Sequence, residues 1–170
     1  YRPHPLMEGR LRLNQVQTAA YLLYLLAAVI GIFLAATRGM LVLFLGIGGM
    51  AAGITYTAAP LNYKYKALGE FSVFLMWGPL MVTGAYYVQQ QAVSAAALLI
   101  SIPFGVLVAL VLLANNIRDV VYDRGKGIQT LAIVLGERRG ISVYLALIVA
   151  AYLAVVAMAV FGPLTAWSVI

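Results

Sequence analysis

The run Leu110-Val111-Leu112-Leu113-Ala114-Asn115-Asn116-Ile117-Arg118-Asp119-Val120-Val121-Tyr122-Asp123-Arg124-Gly125-Lys126-Gly127 passes from wholly apolar residues to the most charged stretch of the chain within a few positions. Its first part continues an uncharged segment that begins near residue 93, and reads as the end of a membrane-crossing helix. Its second part holds two of only five acidic residues in the chain. On a continuous helix Asn115, Asp119 and Asp123 fall at i, i+4 and i+8, stacked on one face with about 6 Å of rise between neighbours. An amide and two carboxylates in a row suit a hard cation such as Mg²⁺, which takes few protein carboxylates and leaves room for phosphate oxygens. Arg118, Arg124 and Lys126 surround the stripe with positive charge. Acids that can hold a metal beside bases that can hold phosphate form the pattern expected for binding a diphosphate ester.

Outward from that run, the chain is too apolar for a soluble domain. Of its 170 residues 64% are hydrophobic and only 9% charged, and the mean hydropathy is +0.98. Apolar runs cover about 15–37, 40–59, 69–90, 93–115 and 141–162, each near the ~20 residues a helix needs to span a bilayer. A sixth run begins at Pro163 and is cut off at Ile170. The runs are continuous rather than alternating, which favours helices over a β-barrel. The expected fold is therefore all-α: a polytopic transmembrane helical bundle with five complete spans, forming one membrane domain over 1–170.

The formal net charge of +6 could suggest nucleic acid, but the placement of the charges argues against that partner. If the five spans alternate in direction, segments 1–14, 60–68 and 116–140 share one face. That face carries Arg2, Arg10, Arg12, Lys64, Lys66, Arg118, Arg124, Lys126, Arg138 and Arg139, ten of the eleven basic residues, with Arg38 alone opposite. Such asymmetry is a positive-inside signal. It predicts an integral protein of the cell membrane (inner or plasma membrane), with these loops in the cytoplasm. Glu8, Glu70, Asp119, Asp123 and Glu137 lie on the same side, so the polar chemistry is confined there.

Between the spans, several features have a structural reading and a sharper one. Gly49-Met50-Ala51-Ala52-Gly53 matches GxxxG and is expected to serve close helix packing. In Tyr56-Thr57-Ala58-Ala59-Pro60-Leu61-Asn62-Tyr63-Lys64-Tyr65-Lys66, Pro60 stops a helix, and the tyrosines and lysines read first as an interfacial anchor. The sharper reading gives Lys64 or Lys66 a phosphate and Tyr56 a hydroxyl facing the site. Glu70 sits where a helix N-terminus favours an acid. Trp77-Gly78-Pro79 and Pro103 predict kinks within the bilayer.

For Asp119 and Asp123 the plain alternative is a solvated helix end making local salt bridges with Arg118, Arg124 or Lys126. Against it, Asn115 and Asn116 close an apolar run, and amides at membrane depth normally face protein or a polar cavity. Gly125 and Gly127 also let the backbone turn close to a ligand. The residues that are missing narrow the chemistry further. The chain has no cysteine and one histidine, His4, which excludes thiol nucleophiles and cysteine-based zinc sites. It has no Walker A or GxGxxG pattern. Electrostatic catalysis remains, in which metal ions and basic groups stabilise charge on a departing diphosphate, and the membrane setting asks for a lipid-soluble substrate. A prenyl diphosphate meets both requirements.

Asn115-Asn116-Ile117-Arg118-Asp119-Val120-Val121-Tyr122-Asp123-Arg124, followed by Gly127, Thr130-Leu131-Ala132 and Leu135-Gly136, resembles the second aspartate-rich motif of the UbiA superfamily of membrane prenyltransferases. The Asn-Asn-x-Arg-Asp form is most similar to the 1,4-dihydroxy-2-naphthoate polyprenyltransferase branch of menaquinone synthesis. Tyr56-Thr57 with Pro60, Leu68-Gly69-Glu70, and Gly84 with Tyr86-Tyr87-Val88-Gln89 are similar to that branch too. His4-Pro5-Leu6 with Gly9-Arg10-Leu11 resembles the segment after the family's first aspartate-rich motif. The resemblance implies a fold of about nine spans around a central cavity, with Asp119 and Asp123 as catalytic residues that hold Mg²⁺ on the donor diphosphate and Asn115 on the same face. It further implies that Asn116, Arg118, Arg124, Lys126, Tyr56 and Lys64 position diphosphate or an aromatic acceptor.

Two departures qualify the resemblance. The family usually has a lysine between Gly127 and Thr130, where this chain has Ile128-Gln129, with Lys126 close by. No Asp precedes Asp119, and the chain opens at Tyr1 in a polar segment. It is therefore expected to be a piece of a longer protein that carries the other acidic motif, and to be inactive alone. Prenyl transfer to 4-hydroxybenzoate, a haem or a glycerol-phosphate lipid, or a non-enzymatic transporter or scaffold, are the competing functions.

Overall fold

The structure is a computed structural model that describes residue 6 and residues 8–164. His4-Pro5 and most of the sixth apolar run, from residue 165 on, lie outside the described residues. Eight α-helices account for most of the described residues: α1 Leu13–Arg38, α2 Met40–Thr57, α3 Gly69–Leu75, α4 Met81–Gln90, α5 Ala95–Arg118, α6 Val120–Gly125, α7 Leu131–Leu135 and α8 Glu137–Phe161. A 3₁₀ turn, Tyr63–Tyr65, precedes α3, and a π-helical turn, Met76–Leu80, joins α3 to α4. No strand occurs among the described residues; the one bridge pairs Lys66 with Gln129.

Among the described residues five stretches are long and apolar enough to cross a membrane: Leu13–Arg38, Met40–Thr57, Gly69–Gln90, Ala95–Arg118 and Glu137–Phe161. They reproduce the five apolar runs of the sequence within a few residues. The protein is an all-helical integral membrane protein. Large apolar side chains such as Leu22, Phe33, Val111, Leu153 and Val160 stand exposed along these helices, as lipid-facing surface does and as a soluble surface rarely does.

The chain forms two compact units, 1–46 and 47–170. The first contains α1 and the start of α2. A single residue, Gly39, separates the two helices, and its φ of +112° is a conformation that glycine adopts without a Cβ penalty.

In the second unit α5 is the central element, packed along α8 on one side and against α3 and the π turn on another. Leu110, Leu113, Val120 and Ala132 form the buried core, joined by Leu107, Ile117, Leu131 and Ile148. The short α7 is fixed by Thr130, which is 4% exposed and whose Oγ1 accepts the Ile133 amide at 3.4 Å as an N-cap.

The prolines and glycines singled out in the sequence take the following forms. The Trp77-Gly78-Pro79 interruption is a π turn, in which Pro79, having no N–H, sits where the regular ladder is already broken. Pro103, by contrast, is buried within α5, which keeps its helical assignment from Ala95 to Arg118. A tighter backbone approach than that at Gly49 of the GxxxG occurs between Gly78 and Gly105. A Cβ on Gly49 would meet only Met76 Cε, at 3.7 Å. The tight crossing is formed by Gly78 and Gly105, where a Cβ on Gly78 would stand 2.8 Å from Gly105 Cα and 2.8 Å from the Ser101 carbonyl oxygen.

Candidate functional site

The acidic stripe is built on a break, not on one continuous helix. α5 ends at Arg118, and Asp119 adopts φ −95°, ψ 6° before α6 begins at Val120. The i to i+4 pattern nevertheless survives the break. The Asp119 amide donates to the Asn115 carbonyl at 3.0 Å, and the Asp123 amide donates to the Asp119 carbonyl at 2.9 Å. Asn115, Asp119 and Asp123 therefore keep one-turn spacing in backbone hydrogen bonding while the axis is interrupted between them. Asn115 is exposed; Asp119 and Asp123 are partly buried.

Beyond the stripe the chain turns sharply. The Lys126 amide donates to the Asp123 carbonyl at 3.0 Å, the Ile128 amide donates to the same oxygen at 3.2 Å, and Gly127 takes φ +69°. Gly127 thus supplies the left-handed residue that a helix C-terminus commonly requires.

Arg118 is engaged with the stripe itself. Its Nε and Nη2 donate to Oδ1 and Oδ2 of Asp119, both at 2.9 Å, a bidentate pair between neighbours in sequence. The local salt bridge weighed from the sequence is therefore present at Asp119. The guanidinium holds the Asp119 carboxyl below the ordinary carboxylate range, first through its hydrogen bond and then through its charge. Lys126 lies over the Tyr122 ring, with Nζ 4.3 Å from the centroid, and Arg124 is exposed on α6.

The loop before α3 is joined to the loop after α6. The Ala67 amide donates to the Gln129 carbonyl at 2.9 Å, next to the Lys66–Gln129 bridge. Segments 60–68 and 116–140 consequently meet. Lys64 Nζ stands 5.8 Å from the Tyr56 ring centroid and 5.6 Å from that of Tyr65. Tyr56 meets Tyr63 edge-on at 5.5 Å. The Tyr63 hydroxyl donates to the Ala52 carbonyl and accepts from Ser72 Oγ at 3.2 Å. Tyr56, Tyr63 and Ser72, with Ala52, Gly53, Val73, Met76 and Trp77, line a cleft of about 270 Å³.

A second, larger groove of about 520 Å³ runs along α5. It is lined by Phe104, Leu107, Val108, Val111, Leu112 and Asn115, closed on one side by Trp77. The α5 members recur at three- and four-residue steps, so they form one face of the helix. Asn115 is the polar member of that lining and also the first residue of the stripe. Reading the sequence placed Asn115 in the stripe but did not reveal the groove, because Trp77 comes from another span.

Asn116 faces a different way. Its Nδ2 donates to Glu70 Oε1 at 2.8 Å, and Glu70 is 6% exposed in the first turn of α3. Glu70, a mere helix-end acid in the sequence, is thus the partner of a candidate binding residue 46 positions away.

Among the described residues no three His, Cys, Asp or Glu side chains gather as a ready metal cage. Two carboxylates one turn apart, with an amide beside them, match a cation that takes one or two carboxylates and completes its octahedron with water and phosphate oxygens, as Mg²⁺ does.

The family model described as "UbiA prenyltransferase family" matches residues 1–170. The chain is 32% identical over 144 residues to a 1,4-dihydroxy-2-naphthoate octaprenyltransferase of Bacillus subtilis, covering 85% of this chain and 46% of that protein. It is 41% identical over 96 residues to the protein of that name from Haemophilus influenzae, covering 56% and 31%. It is also 38% identical over 112 residues to a UbiA prenyltransferase domain-containing protein 1 of Dictyostelium discoideum, covering 66% and 34%. The chain thus spans about half or less of the length of these relatives. No solved structure matches it.

Proposed function

Since the chain belongs to the UbiA prenyltransferase family, we propose that it contributes the donor-binding half of a membrane enzyme. That enzyme transfers a polyprenyl group from a prenyl diphosphate to an aromatic acceptor, with Mg²⁺ as cofactor. The observation that carries this reading is the double role of Asn115. It ends the apolar groove along α5 and begins the carboxylate stripe, so one ligand with a long hydrocarbon tail and an anionic head can occupy both.

In this reading Asp119 and Asp123 hold Mg²⁺, with Asn115 on the same flank. Bound there, the ion supplies Lewis-acid neutralisation of the departing diphosphate. Arg118 keeps Asp119 ionised, and Arg118, Arg124 and Lys126 supply charge-assisted hydrogen bonds to phosphate oxygens. The groove aligns the prenyl tail as the bond from the allylic carbon to the diphosphate oxygen breaks. The electron-rich acceptor ring then forms the new bond to that carbon and releases a proton. Tyr56 and Lys64, stacked beside the cleft, are suited to orient the acceptor or the diphosphate.

1,4-Dihydroxy-2-naphthoate is the proposed acceptor, because three features point to it: the Asn-Asn-x-Arg-Asp form of the stripe, the Leu68-Gly69-Glu70 segment, and the names of the bacterial relatives. This assigns the protein to menaquinone biosynthesis. The basic loops are proposed to face the cytoplasm, on the charge asymmetry of the sequence.

The test is Asp119→Asn and Asp123→Asn in the intact parent protein, assayed against a panel of acceptors at limiting Mg²⁺. Loss of about 100-fold or more in prenyl transfer is expected for each. Near-parental rates would overturn the assignment of the stripe, and preference for another ring would reassign the acceptor.

A further inference from the structure

The hydrogen bond from Asn116 to Glu70 is available for a role that the donor site does not itself use. Glu70 is 6% exposed, and it borders a cavity of about 240 Å³ whose other walls are apolar, among them Phe71, Phe74, Leu110 and Leu113. A carboxyl placed there is costly unless it is hydrogen-bonded, and Asn116 Nδ2 at 2.8 Å provides that bond. It joins the start of α3 to the end of α5, just where α5 is about to break at Asp119.

Successive residues on a helix project about 100° apart. With Asn116 tied to α3, Asn115 is directed to the groove that it shares with Trp77, Val111 and Leu112. In the last turn of α5 Ile117 packs on the core, and the Asn116 bond adds a directional polar tie to α3, whereas Asn115 and Arg118 are exposed and Asp119 is bonded through its side chain to Arg118.

We propose that Glu70 is a positioning residue, which by accepting the Asn116 amide sets the rotation of the last turn of α5 and so aims Asn115 and the carboxylate stripe at the polar end of the groove. This rests on the proposed donor site. It assigns Asn116 to the support of that site, in place of direct contact with diphosphate.

The experiment compares Glu70→Leu, Glu70→Gln and Asn116→Leu in the intact parent. Glu70→Gln keeps a carbonyl acceptor for the Asn116 amide and removes the charge. In the prenyl-transfer assay, Glu70→Leu and Asn116→Leu are expected to raise the Mg²⁺ concentration for half-maximal rate by about 10-fold or more, with kcat at saturating Mg²⁺ within about threefold. Glu70→Gln is expected to stay within about twofold of the parent on both. Should Glu70→Leu fail to fold, Asn116→Leu carries the comparison, since it alters only the partly buried partner.

A second readout needs neither metal nor activity. In a parent with no other cysteine, Asn115→Cys is labelled with a water-soluble maleimide. Glu70→Leu is expected to change the labelling rate and Glu70→Gln to leave it unchanged. Parental Mg²⁺ dependence and labelling in Glu70→Leu would overturn the proposal. Equal damage in Glu70→Gln and Glu70→Leu would also overturn it, because the charge and not the acceptor would then matter. If the parent shows no prenyl transfer, the proposed function fails, while the labelling comparison still decides the role of Glu70.

Discussion

Gly78 and Gly105 touch backbone to backbone: a Cβ on Gly105 would lie 2.7 Å from the Phe74 carbonyl oxygen and 2.8 Å from Gly78 Cα. These contacts are with main chain, so no flexible side chain can yield. The crossing brings the π turn against α5 and so holds Trp77 beside the α5 face that lines the groove. Alanine at either position is expected to push the helices apart and cost about 1–3 kcal/mol, as overpacking does. Alanine at Gly48, where a Cβ would meet nothing within 4 Å, is expected to be close to neutral. Thermal unfolding of the purified variants in one detergent checks the contrast.

The Arg118–Asp119 pair predicts a pH effect with a definite sign. Arg118 lowers the Asp119 pKa in the folded state, so the carboxylate persists below the ordinary carboxylate range. The stability it contributes is present above the unfolded pKa and is lost as pH falls through the lower folded value. The metal binding proposed at Asp119 needs the same ionised form. In Arg118→Met, the acid limb of Mn²⁺ binding without substrate should therefore move to higher pH. An unmoved acid limb would show that Arg118 does not control this carboxylate.

Val111 is 63% exposed and lines the middle of the groove. Val111→Trp should fill the space proposed for the prenyl tail without disturbing the core face of α5, which carries Leu110 and Leu113. KM for the prenyl diphosphate is expected to rise by about 10-fold or more, with Mg²⁺ binding unchanged. Unaltered donor KM would place the tail elsewhere.

Thr130 caps α7 from a buried position. Thr130→Val keeps the shape and removes the acceptor, and is expected to cost about 1 kcal/mol. The loss should appear as faster amide exchange over 126–135, because the Gln129 carbonyl that receives the Ala67 amide lies next to the cap.

The sequence by itself determined the helices. Uninterrupted apolar runs of bilayer length leave no other way to satisfy backbone hydrogen bonds in lipid, and the five spans follow from that alone. The asymmetry of basic residues grouped 60–68 with 116–140, and the Ala67–Gln129 hydrogen bond joins them. The spacing of Asn115, Asp119 and Asp123 was legible because a one-turn repeat is local; the break at Asp119 was not, since that residue sits between two helices without a glycine or proline to mark it.

What involved two spans was decided only by the tertiary structure. The tight backbone crossing of the second unit is formed by Gly78 and Gly105, two glycines from different spans with no shared pattern. Glu70 and Asn116 are likewise unremarkable until α3 is laid against α5. The groove exists because Trp77 and the Phe104-to-Asn115 face come together. Periodicity along one helix reports which side chains share a face, but which face meets which neighbour depends on how the helices pack, and that is set by contacts far apart in the chain.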